Sequence, residues 1–158
     1  MSSTQVNINI VIYLINYLFT ILIVDCATTY SQSFTNGVTP TSQCTAWITF
    51  AAGLTCTSYS SLRIYGSNDP TGITITDSYV VTAIAVALRA NTTYSATSNG
   101  YTLIVGVCGS GYEITATGSL CTCTSGYTLR PCFGGSSWGG IMGTTCSAGT
   151  QTLSLDFS

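Results

Sequence analysis

The sequence predicts a small β-rich domain held by disulfide bonds. Two architectures fit: an antiparallel β-sandwich of the immunoglobulin-like kind, or an α+β sheet with one covering helix. Short segments in which apolar residues alternate with hydroxyl residues recur along the chain, and clusters of turn residues separate them. Eight cysteines in 158 residues predict a disulfide framework. The length is that of one average domain, so we expect one core.

The N-terminal part of the chain carries an uncharged apolar segment, INIVIYLINYLFTILIV, at residues 8–24. We interpret residues 1–26 as a signal peptide or hydrophobic N-terminal segment, with Val24 and Cys26 at the −3 and −1 positions of a cleavage site. Two alternatives stay open: a retained membrane anchor, or a donor strand that completes the sheet of another protomer. Contact with a membrane is expected only through residues 8–24, if they are uncleaved. Residues 27–43 read as a Thr/Ser-rich spacer, and residues 44–158 as the disulfide-rich β domain.

Alternating segments predict the strands of this domain. Residues 62–65 and 73–76 flank a Ser-Asn-Asp-Pro turn, a pattern typical of a hairpin. Four further segments alternate with period two, at residues 102–107, 112–117, 127–130 and 152–157. Apolar side chains on one face and hydroxyls on the other describe half-buried antiparallel strands.

One segment follows a helical period instead. In DSYVVTAIAVALRA, residues 77–90, Val80, Ile84 and Leu88 recur at helical spacing. Asp77 is a suitable N-cap, and Asn91 lies just past the end. A buried strand remains the alternative, because the run is apolar on both faces. Residues 44–54, CTAWITFAAGL, are equally ambiguous between helix and strand.

The cysteines indicate an oxidising compartment, and we expect a secreted protein. Cleavage after residue 26 leaves an odd number for disulfide bonding: Cys44, Cys56, Cys108, Cys121, Cys123, Cys132 and Cys146. Either one thiol stays free or bonds another chain, or cleavage falls earlier and Cys26 is kept to pair with a residue such as Cys56. The sequence has no His, and the Cys121-Thr-Cys123 spacing is wrong for a zinc knuckle, so we expect no metal and no cofactor.

A set of C-terminal motifs resembles a group of uncharacterised secreted animal proteins rich in disulfides. The motifs are CGSGYE at 108–113, CTC at 121–123, RPC at 130–132, WGG at 138–140, TC at 145–146 and TQT at 150–152. The upstream IYGSNDPTG at 64–72 also looks like theirs. The resemblance covers about residues 44–157. It implies secretion and a disulfide framework, and it implies no activity; Cys56 is additional to the pattern.

Charge is nearly absent, and this excludes several classes of function. Only 5% of residues are charged, with three Arg and no Lys. Three cations are too few to neutralise a row of phosphates, so we expect no nucleic-acid partner. Without His or Lys, nothing activates a Ser or Thr nucleophile. The carboxylates of the β domain are not spaced as a catalytic pair, and we expect no enzyme: Asp69, Asp77, Glu113 and Asp156.

Candidate contact residues are aromatic. Trp138 in a Gly-rich loop, Tyr127 and Arg130 are candidates for a ligand or contact surface, since aromatic faces suit sugars and protein partners. Core packing of Trp138 is an equal alternative, and pairing with Glu113 is the favoured role of Arg130. Asn91-Thr-Thr is an N-glycosylation sequon and predicts a surface turn.

Two functions are expected from these observations. The first is an extracellular structural or adhesive protein that assembles with its own copies into a filament or matrix, by β-strand addition between protomers. Sheet edges without Lys or Glu invite such pairing, and a nearly uncharged surface does not oppose it. The alternative is a secreted monomeric, lectin-like domain that binds glycans.

Overall fold

The computed structural model describes residues 26–35, 41–108, 111–117, 120, 126–129, 140–143 and 150–158. These residues form two antiparallel sheets and two helices, which confirms the predicted β-rich class. Across the first sheet the order is β1 (Thr28–Thr35), β9 (Thr150–Phe157), β2 (Leu62–Gly66) and β3 (Asp69–Ile75). The second sheet follows chain order: β4 (Tyr94–Ser98), β5 (Tyr101–Cys108), β6 (Gly111–Ala116), β7 (Gly126–Leu129) and β8 (Gly140–Gly143). The helices are α1 (Thr41–Gly53) and α2 (Ser78–Ala90).

The first sheet is closed by the C-terminal strand, which inserts between β1 and β2. Phe157 lies opposite Thr28 on one side and opposite Leu62 on the other. Residues 27–43, expected as a polar spacer, therefore contain β1 and the start of α1. Tyr30 and Gln32 are buried on the inner face of β1, and the Tyr30 hydroxyl donates to Gln32 Oε1 at 2.9 Å. This bond lets a strand with so few apolar residues join the core.

The predicted hairpin at residues 62–76 is confirmed as β2 and β3. Ser67 and Asn68 form the turn, and Asp69, the first residue of β3, accepts a hydrogen bond from the Gly72 N–H at 3.0 Å, beside the register shift between Ile64 and Gly66. Gly72 has φ +61°, and a Cβ added there would lie 2.1 Å from the Ile64 carbonyl oxygen. Only glycine therefore fits this position.

The second sheet contains the predicted strands β5, β6 and β7, together with β4 and β8, which were not predicted. A two-residue Asn99-Gly100 turn with both φ values positive joins β4 to β5. The expectation of half-buried strands is wrong for β6, because residues 112–116 are buried on both faces. Hydroxyls that were expected to face solvent bond to each other instead: Thr115 Oγ1 lies 2.8 Å from Thr128 Oγ1.

The helix predicted after Asp77 is confirmed. The Asp77 carboxylate accepts from the N–H groups of Tyr79 and Val80, and Asn91 ends the helix in the left-handed conformation. The ambiguous segment at 44–54 is also helical and forms most of α1, so two helices accompany the sheets where one was predicted.

A single cluster of buried side chains joins both sheets and both helices. α1 contacts β1 and α2, while α2 contacts β4 and β5. The largest side chains in this core with less than 2% exposure are Leu54, Tyr59, Leu62, Ile75, Ile84, Leu103, Ile114, Leu129, Leu153 and Phe157.

Candidate functional site

The outer edge of β1 exposes backbone hydrogen-bonding groups. Ser61 and Ser158 exchange two backbone hydrogen bonds, of 3.0 and 3.1 Å, so even-numbered residues of β9 face β2. Odd-numbered residues of β9 therefore face β1 and bond to its even-numbered residues, in the register Tyr30 opposite Leu155. It follows that the N–H and C=O groups of Thr29, Ser31 and Ser33 point away from β9. No other described strand pairs with this edge.

An open groove of about 750 Å³ runs between this edge and α1. We call it the β1 groove. One wall is residues 28–31 of β1, and the other is formed by Thr45, Ala46, Thr49, Phe50 and Gly53 of α1. None of these residues is charged. The groove is thus a neutral channel with hydroxyl and apolar walls beside free backbone groups.

The shape of the β1 groove follows from how α1 packs. Trp47 and Phe50 pack against the Tyr30 ring, with centroid distances of 5.1 and 5.2 Å. These aromatic contacts fix α1 over the inner face of β1. Small residues of α1 are left beside the edge, and a Cβ added to Gly53 would meet no atom within 4 Å.

The outer edge of β4 is also open among the described strands. The two-residue turn makes Ser98 and Tyr101 a hydrogen-bonded pair, so the backbone groups of Ser95 and Thr97 point outward. α2 lies beside this strand and exposes two apolar side chains seven residues apart, Tyr79 (78% exposed) and Val86 (46% exposed). Like β1, β4 is an uncharged edge flanked by a helix.

Of the other two edge strands, β8 is only four residues long, and β3 is protected. It contains Pro70, which lacks an N–H group, and the pairing with β2 has a register shift between Ile64 and Gly66. Arg63 donates to the carbonyl of Pro70, and the N–H of Thr76 donates to Asn99 Oδ1 at 3.3 Å. Several of the backbone groups along this edge are therefore bonded to neighbouring side chains.

One contact between the two sheets involves a predicted surface residue. The Tyr127 hydroxyl on β7 donates to Asp69 Oδ2 at the start of β3. This hydrogen bond holds the pKa of Asp69 below its ordinary value and, with burial, raises the pKa of Tyr127 to about 12. The polar end of Tyr127 is thus engaged within the protein, while Trp138 and Arg130 lie outside the described residues.

The other predicted residues occupy structural positions. Asn91 is exposed together with Thr92 and Thr93, as a glycan acceptor requires. Asp69 bonds to Gly72 and Tyr127 at the start of β3, and Asp77 caps α2. Glu113 is buried on β6, and its expected pairing with Arg130 stays a prediction.

A disulfide bond joins Cys26 to Cys56, with the Cα atoms 5.9 Å apart. It ties the start of β1 to the loop after α1. Cleavage between Cys26 and Ala27 would remove half of this bond, which is the pairing that the sequence offers for a retained Cys26. Cys44 lies in α1 and Cys108 ends β5, whereas the remaining predicted disulfide residues lie outside the described part of the chain: Cys121, Cys123, Cys132 and Cys146.

Comparison of the chain with protein-family models, with curated proteins and with solved structures finds no match. Within the described ranges, no helix is long and apolar enough to cross a bilayer. Nor do three or more metal-ligating side chains come together in that part of the chain. The two open edges are therefore the features on which a functional argument rests.

The β1 groove is not predicted from the sequence, because residues 27–43 read as a Thr/Ser-rich spacer. One signal was present. In TTYSQSFT, residues 28–35, aromatic Tyr30 and Phe34 alternate with Thr and Ser, which is the period of a half-buried strand.

Proposed function

We propose that this protein is an extracellular structural or adhesive component that assembles with its own copies through the edges of its β-sheets. The observation that supports it most directly is that β1 and β4 turn free backbone groups outward on strands without charge. Such edges are templates for pairing with another chain.

The contrast with β3 strengthens this argument. Natural proteins protect exposed edges with Pro, Lys, bulges or covering side chains. β3 has several of these devices, whereas neither β1 nor β4 contains a Pro or a charged residue. Among the described strands, β3 thus carries such devices, whereas β1 and β4 do not.

Two open edges on two different sheets would suit a filament. When β1 pairs with β1 of one neighbour and β4 with β4 of another, each contact is two-fold symmetric. Alternation of the two contacts then continues without closing. The low net charge of −2 would oppose this assembly only weakly.

An oxidising, extracellular setting is supported by the Cys26–Cys56 bond, since such bonds persist outside the cytosol. The exposed sequon at Asn91 is compatible with a glycoprotein. We infer secretion from these two features together with the apolar residues 8–24, which lie outside the described part of the chain.

The experiment is sedimentation velocity and electron microscopy of the secreted, unreduced protein. We expect oligomers that grow with concentration. A variant with Ser31→Pro and Thr97→Pro loses one outward N–H on each edge, and it should stay monomeric, because neither N–H bonds within its own sheet. The control, Ser31→Ala with Thr97→Ala, loses the same hydroxyls and keeps both N–H groups, and it should assemble.

Two outcomes would contradict the proposal. One is a wild-type protein that is monomeric at all concentrations, and the other is a double proline variant that assembles as wild type does. A stable monomer that binds sugars would favour the glycan-binding alternative. That alternative has less support, because Tyr127 is the one expected contact residue among those described and its hydroxyl already bonds to Asp69.

A further inference from the structure

The β1 groove has the features of a site for strand addition. An extended segment lying in it would bond through its backbone to Thr29, Ser31 and Ser33. Its inner-face side chains would lie beside the walls of the groove. Main-chain bonds of this kind give affinity, and the groove walls select the side chains.

We propose that the segment which pairs with the outer edge of β1, along the β1 groove, is β1 of a second copy, antiparallel about a two-fold axis at Ser31. This inference rests on the proposed function and deepens it by naming the partner segment and the register.

The spacing of the outward groups is self-complementary. In an antiparallel pair centred on Ser31, residue 29 of one copy lies opposite residue 33 of the other, and Ser31 lies opposite Ser31. All the outward groups of Thr29, Ser31 and Ser33 are then used in hydrogen-bonded pairs, each of which exchanges two bonds. The first sheet of each protomer would continue into that of its partner.

The chemistry of β1 is also compatible with pairing to itself. A two-fold axis brings identical segments together, so any charge would meet a like charge close by. β1 and both walls of the β1 groove contain none.

Hydroxyl contacts on the outer face would extend across the axis as well. Within one protomer, Ser31 Oγ lies 2.6 Å from Ser154 Oγ, and Ser33 Oγ lies 2.8 Å from Thr152 Oγ1. A second β1 would bring further Ser and Thr hydroxyls beside this row, in positions where neutral hydroxyl pairs stabilise neighbouring strands.

Cysteine cross-linking of the full secreted chain tests the register. A Ser31→Cys variant should form a covalent dimer under mild oxidation. Hydrogen-bonded partners lie about 5.5 Å apart at Cα, within the range of about 4.4–6.8 Å that a disulfide spans. A Thr29→Cys variant alone should not cross-link, because the two copies of residue 29 would lie about 13 Å apart. Thr29→Cys mixed with Ser33→Cys should cross-link.

A second test needs no added thiol. Gly53→Leu places a side chain where the groove is empty, and Gly53→Ala adds only a methyl group to the same position. We expect Gly53→Leu to weaken pairing through β1 about tenfold or more, as measured by sedimentation of a Thr97→Pro background, and Gly53→Ala to change it little.

The outcomes separate this inference from the proposed function. A wild-type protein that assembles, with no covalent dimer of the Ser31→Cys variant and no effect of Gly53→Leu, would overturn the β1 register and leave assembly through β4 standing. A cross-link through residue 29 alone would also overturn the register. A wild-type protein that is monomeric throughout would overturn both.

Discussion

Tyr112 is a residue whose hydroxyl has a structural task at the end of a helix. Its side chain is buried, and its hydroxyl donates to the carbonyl of Ala87 at 3.2 Å and to that of Thr92. The last carbonyls of a helix lack partners within the helix. Tyr112 therefore satisfies groups at the end of α2 from the neighbouring sheet, and burial raises its pKa to about 12.

We expect Tyr112→Phe to lower the free energy of unfolding by about 1 kcal/mol, because it removes the hydroxyl's hydrogen bonds while the ring stays in place. The Ala87 carbonyl keeps the bond from the Thr92 N–H at 3.0 Å. Urea unfolding followed by circular dichroism measures the difference in stability. Tyr79→Phe is the matched control, since Tyr79 is 78% exposed and should tolerate the change. Equal stabilities of the two variants would argue against the role assigned to Tyr112.

The contact between Asp69 and Tyr127 predicts a pH dependence of stability. The pKa of Asp69 is held below its ordinary value of 3.8 in the folded protein. The stabilisation that the ionised Asp69 side chain provides is therefore complete above pH 3.8. It is lost as the pH falls through the lower pKa that Asp69 has in the folded protein. Tyr127, whose pKa is raised from 10.0 to about 12, gives the opposite dependence: its effect is complete below pH 10.0 and is lost as the pH rises through about 12.

Asp69→Asn separates this effect from the rest of the acid response. The amide oxygen keeps an acceptor for Tyr127 or Gly72, and the group no longer titrates. Between about pH 5 and pH 2, the urea midpoint of the wild type should fall more than that of Asp69→Asn. Parallel falls in the two proteins would show that Asp69 does not contribute to acid unfolding.

At the scale of elements, α2 is held at its start by one side chain. Asp77 accepts from Tyr79 N at 3.1 Å and from Val80 N at 3.2 Å, both through Oδ1. Asp77→Ala should cost about 1 kcal/mol of unfolding free energy, whereas Asp77→Asn retains an acceptor and should cost less. Thermal and urea unfolding of both variants give the comparison, and an Asn variant as unstable as the Ala variant would refute a capping role based on hydrogen bonding.

Elements with a regular period could be predicted from the sequence, and those without one could not. The hairpin at 62–76, strands β5 to β7 and α2 all followed from local spacing and from cap or turn residues. β1 was missed because Ser, Thr and Gln dominate it, and its burial depends on the Tyr30–Gln32 hydrogen bond and on α1 above it. Such contacts between distant parts of the chain leave little trace in local composition.

The positions of the open edges depend on contacts between distant parts of the chain as well. The lack of Lys and Glu was visible in the sequence, so unprotected edges could be expected. Which strands form the edges is decided by β9, which pairs with residues 28–35 and 62–66 across more than half of the chain. Strand order in a sheet therefore had to come from the structure.

At the scale of the whole molecule, the low charge has a consequence for how assembly responds to salt. Five acidic and three basic residues are spread over 158 positions, and no charge lies on β1 or β4. Salt screens interactions between charges, with a Debye length that falls from about 10 Å at 0.1 M to about 3 Å at 1 M. Backbone pairing at neutral edges contains no such interaction.

We therefore expect the association of this protein to change little with sodium chloride. Sedimentation velocity at about 0.05 M and about 0.5 M salt should give the same oligomer distribution within about twofold in dissociation constant. Sodium sulfate, which is excluded from protein surfaces and strengthens burial, should instead promote association. A variant with Ser31→Lys and Thr97→Lys supplies the control, because charged edges should associate weakly at low salt and regain part of the association at high salt. Strong dissociation of the wild type by sodium chloride would mean that its contacts are ionic, and pairing through the β1 and β4 edges would then be wrong.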